Sequence, residues 1–114
     1  MLYYCMSTRS NIKLIDNCGE ILLYKHHDGY PKGGPGMINF LTNWLAKSGK
    51  SAEWMANQMI SETECEVSSG IHGDIQYYYE VNVETNKIDI YEYDMVKEEK
   101  IFAGTYSAPE VKAK

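Results

Sequence analysis

The sequence predicts an α+β fold, one antiparallel sheet with two helices on one of its faces, and three observations carry that prediction. Apolar residues alternate with period two towards both ends of the chain. Between residues 35 and 60 they recur instead at helical spacing, and Gly, Pro, Asn and Asp mark the boundaries. Strands gathered at the ends and helices in the middle make segregated blocks, which favour a layered α+β arrangement over the alternation of a parallel sheet.

Ile12 and Leu14, then Ile21 and Leu23, flank Asp16-Asn17-Cys18-Gly19 and predict a hairpin whose turn ends in a left-handed glycine. Its second strand runs into a glycine-rich loop. From residue 34 the period changes: Met37, Ile38, Leu41, Trp44 and Leu45 form an apolar stripe, and Pro35 suits the first helical position, where its missing N–H costs nothing. Gly49 closes this helix and Ser51 opens a second, striped by Ala52, Met55, Ala56, Met59 and Ile60. Residues 61–73 read as irregular, with one short strand near 64–68. Residues 75–83 give the clearest strand, with Ile75, Tyr77, Tyr79, Val81 and Val83 facing the core. Residues 88–95 and 101–106 complete a C-terminal meander. The chain reads as a single domain over 1–114, with 1–5 as an extension ahead of an alternative start at Met6 and 107–114 as a flexible tail.

A net charge of -5 and a pI near 5.1 argue against a duplex nucleic-acid surface, which needs a basic face to neutralise phosphates. The N-terminus lacks the charged and apolar segments of a secretory signal, and no apolar run approaches the ~20 residues a membrane helix requires, so no membrane partner and a cytoplasmic location are expected. Cys5, Cys18 and Cys65 are odd in number, widely spaced and without a CxxC pair, which reads as reduced, structural thiols. Ten tyrosines are many for 114 residues. Aromatic faces stack on bases in single-strand binders, but cross-strand aromatic pairs also stabilise antiparallel sheets, and core or interface is the stronger reading.

Residues 26–36, His26-His27-Asp28-Gly29-Tyr30-Pro31-Lys32-Gly33-Gly34-Pro35-Gly36, concentrate the chemistry, with four of the nine glycines. Repeated glycine lets the backbone approach a ligand, and the first amides of a helix beginning at Pro35 would present partial positive charge beside Lys32. The alternative is a tight turn into the helix and nothing more. The hairpin pairing brings Arg9 and Ser10 near His26 and His27. The expected ligand-binding set is therefore Arg9, Ser10, His26, His27, Asp28, Tyr30, Lys32, Gly33, Gly34 and Gly36, with Ser7 at the same focus and Asp28 as an alternative partner for Arg9. Neither the P-loop nor the GxGxxG spacing is present. Adjacent His26 and His27 would face opposite ways on a strand, so no metal and no cofactor are expected.

The segments STRSNI (7–12), HHDGYP (26–31) with Tyr24, and HGDIQYYYE (72–80) resemble a family of small phage and prophage proteins, whose members open with STRS, carry HxDGYP after a hairpin and place a GDxxY strand near the end. Members commonly have tryptophan where His27 stands. The resemblance implies a phage accessory protein acting against host defence, by binding a defence protein or sequestering a nucleotide signal.

Three functional readings follow. The first is a binder of a phosphorylated, nucleotide-like small molecule. The second is an interaction inhibitor of a host defence protein, with Glu62, Glu64, Glu66, Glu98 and Glu99 mimicking nucleic-acid charge. The third is a hydrolase or nuclease using His26, His27 or Asp28. Tyrosine-rich edge strands also leave room for a homodimer.

Overall fold

The computed structural model describes residues 8–34 and 36–108. Strands β1 (Ser10–Asp16) and β2 (Gly19–Lys25) form the expected hairpin, followed by α1 (Met37–Lys47), α2 (Ala52–Glu62), β3 (Cys65–Val67), β4 (Tyr77–Asn82), β5 (Lys87–Asp94) and β6 (Glu99–Ser107). Helix α1 starts later than the Pro35 reading placed it: Gly36 is its N-cap and Met37 its first helical residue, while Pro35 itself lies outside the described residues. Gly49 (φ 61°) follows its end, and the Ser51 hydroxyl caps α2 by accepting the Trp54 amide at 3.1 Å.

The six strands form one sheet in the order β3-β2-β1-β4-β5-β6. Four of its five pairings are antiparallel, in keeping with the expected α+β sheet, and one is not: β1 and β4 run parallel, with Ser10 beside Tyr77 and Leu14 beside Val81. The reason lies in the route of the chain. After α1 and α2, β3 pairs with the outer edge of β2, so it runs in the direction of β1. Residues 68–76 then cross the sheet and deliver β4 beside β1 in that same direction.

Both helices pack on one face, as expected. Ile12, Leu14, Leu23, Tyr79, Val81, Ile88 and Ile90 meet Met37, Leu41, Leu45, Met55 and Met59 in the main core. The crossing segment builds a second, smaller core on the opposite face, where Ile75 and Tyr78 are fully buried beside Tyr24. Ile75 therefore packs opposite to the Tyr79–Val81 face on which it was expected. Strand register aligns Tyr24, Asn11, Tyr78, Tyr91 and Phe102 in a row across this face, with Tyr78 and Tyr91 rings 5.5 Å apart. The tyrosines pack on both faces: Tyr78 in this smaller core and Tyr79 in the main one have no exposed surface.

Asn11 ties the crossing segment down. It is completely buried, donates to the Leu23 carbonyl at 2.8 Å and accepts the His72 amide at 2.8 Å. A buried amide satisfied on both sides fixes one arrangement of its neighbours. Asp16 does the same for the other end of the hairpin: one carboxylate oxygen accepts the Cys18 and Gly19 amides, and the other accepts Ala52 N–H at 2.8 Å, joining the β1–β2 turn to the first turn of α2.

Candidate functional site

The glycine loop is explained first by its own backbone. Asp28 takes a left-handed conformation (φ 55°), Gly29 donates to the Thr8 carbonyl at 2.8 Å, and the buried Tyr79 hydroxyl donates to the Gly29 carbonyl at 2.5 Å. A Cβ on Gly29 would stand 2.8 Å from Thr8 O and 2.9 Å from Ser10 Cβ, so only glycine fits against β1. The chain then caps the helix with itself. Met37 N–H donates to Tyr30 O at 2.7 Å and Ile38 N–H to Pro31 O at 2.9 Å, so these two amides at the mouth of α1 are occupied by carbonyls rather than held out to an anion. The expected receptacle at the helix start is not formed in this way. Asn39 also reaches back to Gly33 O, at 3.0 Å.

The remaining residues of the expected set separate. Ser10 is fully buried beneath Gly29, its hydroxyl without a hydrogen-bond partner among the described residues. Lys32, Gly33 and Gly34 are exposed, while Gly36 is buried. Asp28 accepts the Tyr30 hydroxyl at 3.2 Å and does not pair with Arg9. Ser7 lies outside the described residues.

Arg9 and His26 do meet. Arg9 Nε donates to His26 Nδ1 at 3.3 Å, and the Tyr24 hydroxyl stands 3.0 Å from the same nitrogen. The partner that sequence reasoning missed is the crossing segment: Asp74 Oδ2 lies 3.4 Å from Arg9 Nε, Asp74 Oδ1 lies 4.0 Å from His72 Nδ1, and the His72 ring stacks on Tyr24 with centroids 3.9 Å apart. Burial, more than the nearby Asp74 charge, pushes the Tyr24 hydroxyl above its ordinary value, and Arg9 works against that. The available sequence signal was the HGD segment at 72–74, although nothing local said where it would land.

On the helix side of the same sheet end, a cavity of about 400 Å³ opens between the 25–34 stretch, α1 and the α2–β3 turn. Its walls are Lys25, Asp28 and Gly34, then Phe40 and Asn43 of α1, then Thr63 and Glu64. Lys25 is the unexpected member. Only 7% exposed, it donates to His27 O at 2.5 Å and lies 5.0 Å from the centre of the Phe40 ring. A lysine ammonium has three donors, and burial makes each one matter. Asp28 is engaged by Tyr30, and Glu64, 69% exposed at its side chain, stands 3.9 Å from His27 Nε2. The signal was legible: Ile21, Leu23 and Lys25 share one strand parity, so Lys25 had to face the helices.

The acidic residues proposed as a charge mimic do not form one patch. Glu62, Glu64 and Glu66 sit at the β3 edge and Glu98 and Glu99 at the β6 edge, five strand spacings apart, or about 24 Å at ~4.8 Å each. Among the described residues no group of three or more His, Cys, Asp and Glu could hold a metal ion, and no helix is long and apolar enough to cross a membrane. Comparison with protein-family models, curated proteins and solved structures gives no match to this chain.

Proposed function

We propose that the chain binds a small phosphorylated, nucleotide-like ligand in the Lys25 cavity and acts by sequestering it, as an accessory protein working against a nucleotide-dependent host defence in the host cytoplasm. The observation that carries this reading is Lys25 itself: a buried ammonium in the wall of a cavity, with one backbone carbonyl as its hydrogen-bond partner among the described residues and an aromatic ring beside it. A phosphate would take the remaining donors. Phe40 offers a ring to a base, and the Asn43 amide offers a donor and an acceptor for its edge. The cavity volume falls within the range of roughly 300–1,000 Å³ usual for small-molecule sites. Lys32, first expected to be the phosphate-binding cation, is absent from these walls.

The test is isothermal calorimetry against a panel of linear and cyclic nucleotides. Lys25→Met keeps the buried stem and removes the charge, so it should weaken the best ligand about 10- to 100-fold, the loss of one charge-assisted hydrogen bond. Lys32→Ala should bind like the wild type. Absence of heat from every nucleotide, or equal affinity in Lys25→Met, removes the proposal.

A further inference from the structure

We infer that Arg9, Tyr24, His26, His72 and Asp74 form a second site, separate from the cavity, that cleaves a ribonucleotide phosphodiester by general acid–base chemistry. Three segments far apart in sequence converge there: the approach to β1, the end of β2, and the crossing segment before β4. The two imidazoles differ in their contacts. His26 Nδ1 faces the Arg9 Nε–H at 3.3 Å, and a guanidinium cannot accept a hydrogen bond, so Nδ1 carries the lone pair and Nε2 the proton. His72 has a different setting: its Nδ1 lies 4.0 Å from the Asp74 carboxylate and its ring stacks on Tyr24.

In this site His26 Nε2 serves as the acid and His72 as the base, beside a guanidinium able to meet phosphate oxygens. The surroundings are open. The side chains of Arg9, His72 and Asp74 are 35%, 41% and 55% exposed, as suits a strand of nucleic acid passing across an edge rather than a molecule enclosed in a cavity. The Tyr24 hydroxyl is committed to His26, so the nucleophile is assigned to the substrate: a ribose 2′-hydroxyl next to the phosphate.

His72 Nε2 takes the 2′-hydroxyl proton as that oxygen forms a bond to phosphorus, and the bond from phosphorus to the 5′-oxygen breaks. The departing oxygen takes the His26 Nε2 proton while His26 Nδ1 takes the phenolic proton of Tyr24, 3.0 Å away. A phenol is a far stronger acid than the alcohol being released, so the relay runs downhill. The products are a 2′,3′-cyclic phosphate and a 5′-hydroxyl. The starting state returns as His72 loses its extra proton to solvent, the Tyr24 phenolate takes back the proton on His26 Nδ1, and His26 Nε2 takes one from solvent.

Full-length protein would be incubated with a single-stranded RNA oligonucleotide, its all-deoxy counterpart and a 3′,5′-linked cyclic diribonucleotide, and products would be read by mass spectrometry. Cyclic-phosphate ends from the RNA and none from DNA are expected; cleavage of the cyclic dinucleotide as well would define a site indifferent to polymer length. His72→Gln and His26→Gln, purified in parallel and shown folded by near-UV circular dichroism, should each lower the rate about 10²- to 10⁴-fold. Asp74→Asn, which alters a positioning residue, should lower kcat and leave KM for the RNA unchanged. Lys87→Ala, an exposed change at the opposite end of the sheet, should cleave at the wild-type rate. No cyclic phosphate from either ribonucleotide substrate, or an undiminished rate in His72→Gln, overturns the inference.

Discussion

Replacing Gly29 by alanine places a methyl group 2.8 Å from the Thr8 carbonyl oxygen and 2.9 Å from Ser10 Cβ, contacts that real Cβ atoms do not make. The nearest obstacle is backbone, so no side-chain rotation relieves it. Either the loop lifts from β1 by several tenths of an ångström or β1 bends. Overpacking of this kind costs about 1–3 kcal/mol. Lifting also stretches the Gly29 N–H bond to Thr8 and the Tyr79 hydroxyl bond to Gly29 O, and a weakened internal hydrogen bond adds about 1 kcal/mol. A total of roughly 2–4 kcal/mol, at an assumed urea slope of about 1.5 kcal/mol/M, moves the unfolding midpoint down by roughly 1.3–2.7 M. Fluorescence of Trp44 and Trp54, whose rings lie 6.5 Å apart between the helices, reports the transition. Gly34→Ala is the control, since a Cβ there meets nothing within 4 Å, and its midpoint should shift by no more than about 1 kcal/mol in equivalent stability. Equal midpoints for the two variants would refute the claim that close approach to β1 requires glycine at position 29.

Asp16 accepts amides from Ala52, Cys18 and Gly19, and the Ala52 bond, followed by the Cys18 bond, holds its carboxyl below the ordinary value of 3.8. A depressed folded-state value stabilises the fold above the unfolded value and is lost as pH falls through the folded one, so Asp16→Asn should flatten the stability–pH curve below about pH 4, measured by urea unfolding. Asn11→Ala removes the acceptor for the His72 amide, and hydrogen exchange at that amide should accelerate more than at amides in the β5–β6 ladder. Ile75→Ala hollows the smaller core and should cost about 2–5 kcal/mol in urea unfolding. Cys65 is 5% exposed and burial raises its thiol, whereas Cys18 is exposed. In a Cys5→Ser background a thiol reagent should therefore label Cys18 in the native protein and Cys65 only on unfolding.

The elements were legible because each has a local cause. Period-two apolar residues place β1, β2 and β4, the stripes of Met37-Leu41-Leu45 and Met55-Met59 place the helices, and Gly49 and Ser51 mark the break between them. Even the short strand at Cys65–Val67 falls where the irregular region showed one. The parallel β1–β4 seam was not legible, because strand direction follows from how the chain is routed over the whole sheet and not from any window of residues. The candidate site divides along the same line. Arg9 beside His26 follows from hairpin register, a local matter. His72 and Asp74 join them only because the polar segment 68–76 lies across Tyr24 and Asn11, and polar residues give no periodic signal of what they cover. The helix-mouth reading failed for a related reason: two carbonyls of the loop itself, from Tyr30 and Pro31, meet the amides, and glycine content does not say which way carbonyls will point.

The central seam also sets an order of events during synthesis. β1 leaves the ribosome before its second neighbour, β4, which is made only after both helices and the crossing segment, so one flank of β1 stays bare until β4 emerges. A naked strand edge invites pairing with other chains. A nascent chain halted before Tyr77 would carry Arg9 and His26 with that edge still open, and crowded translation should therefore favour insoluble product whenever elongation stalls ahead of β4.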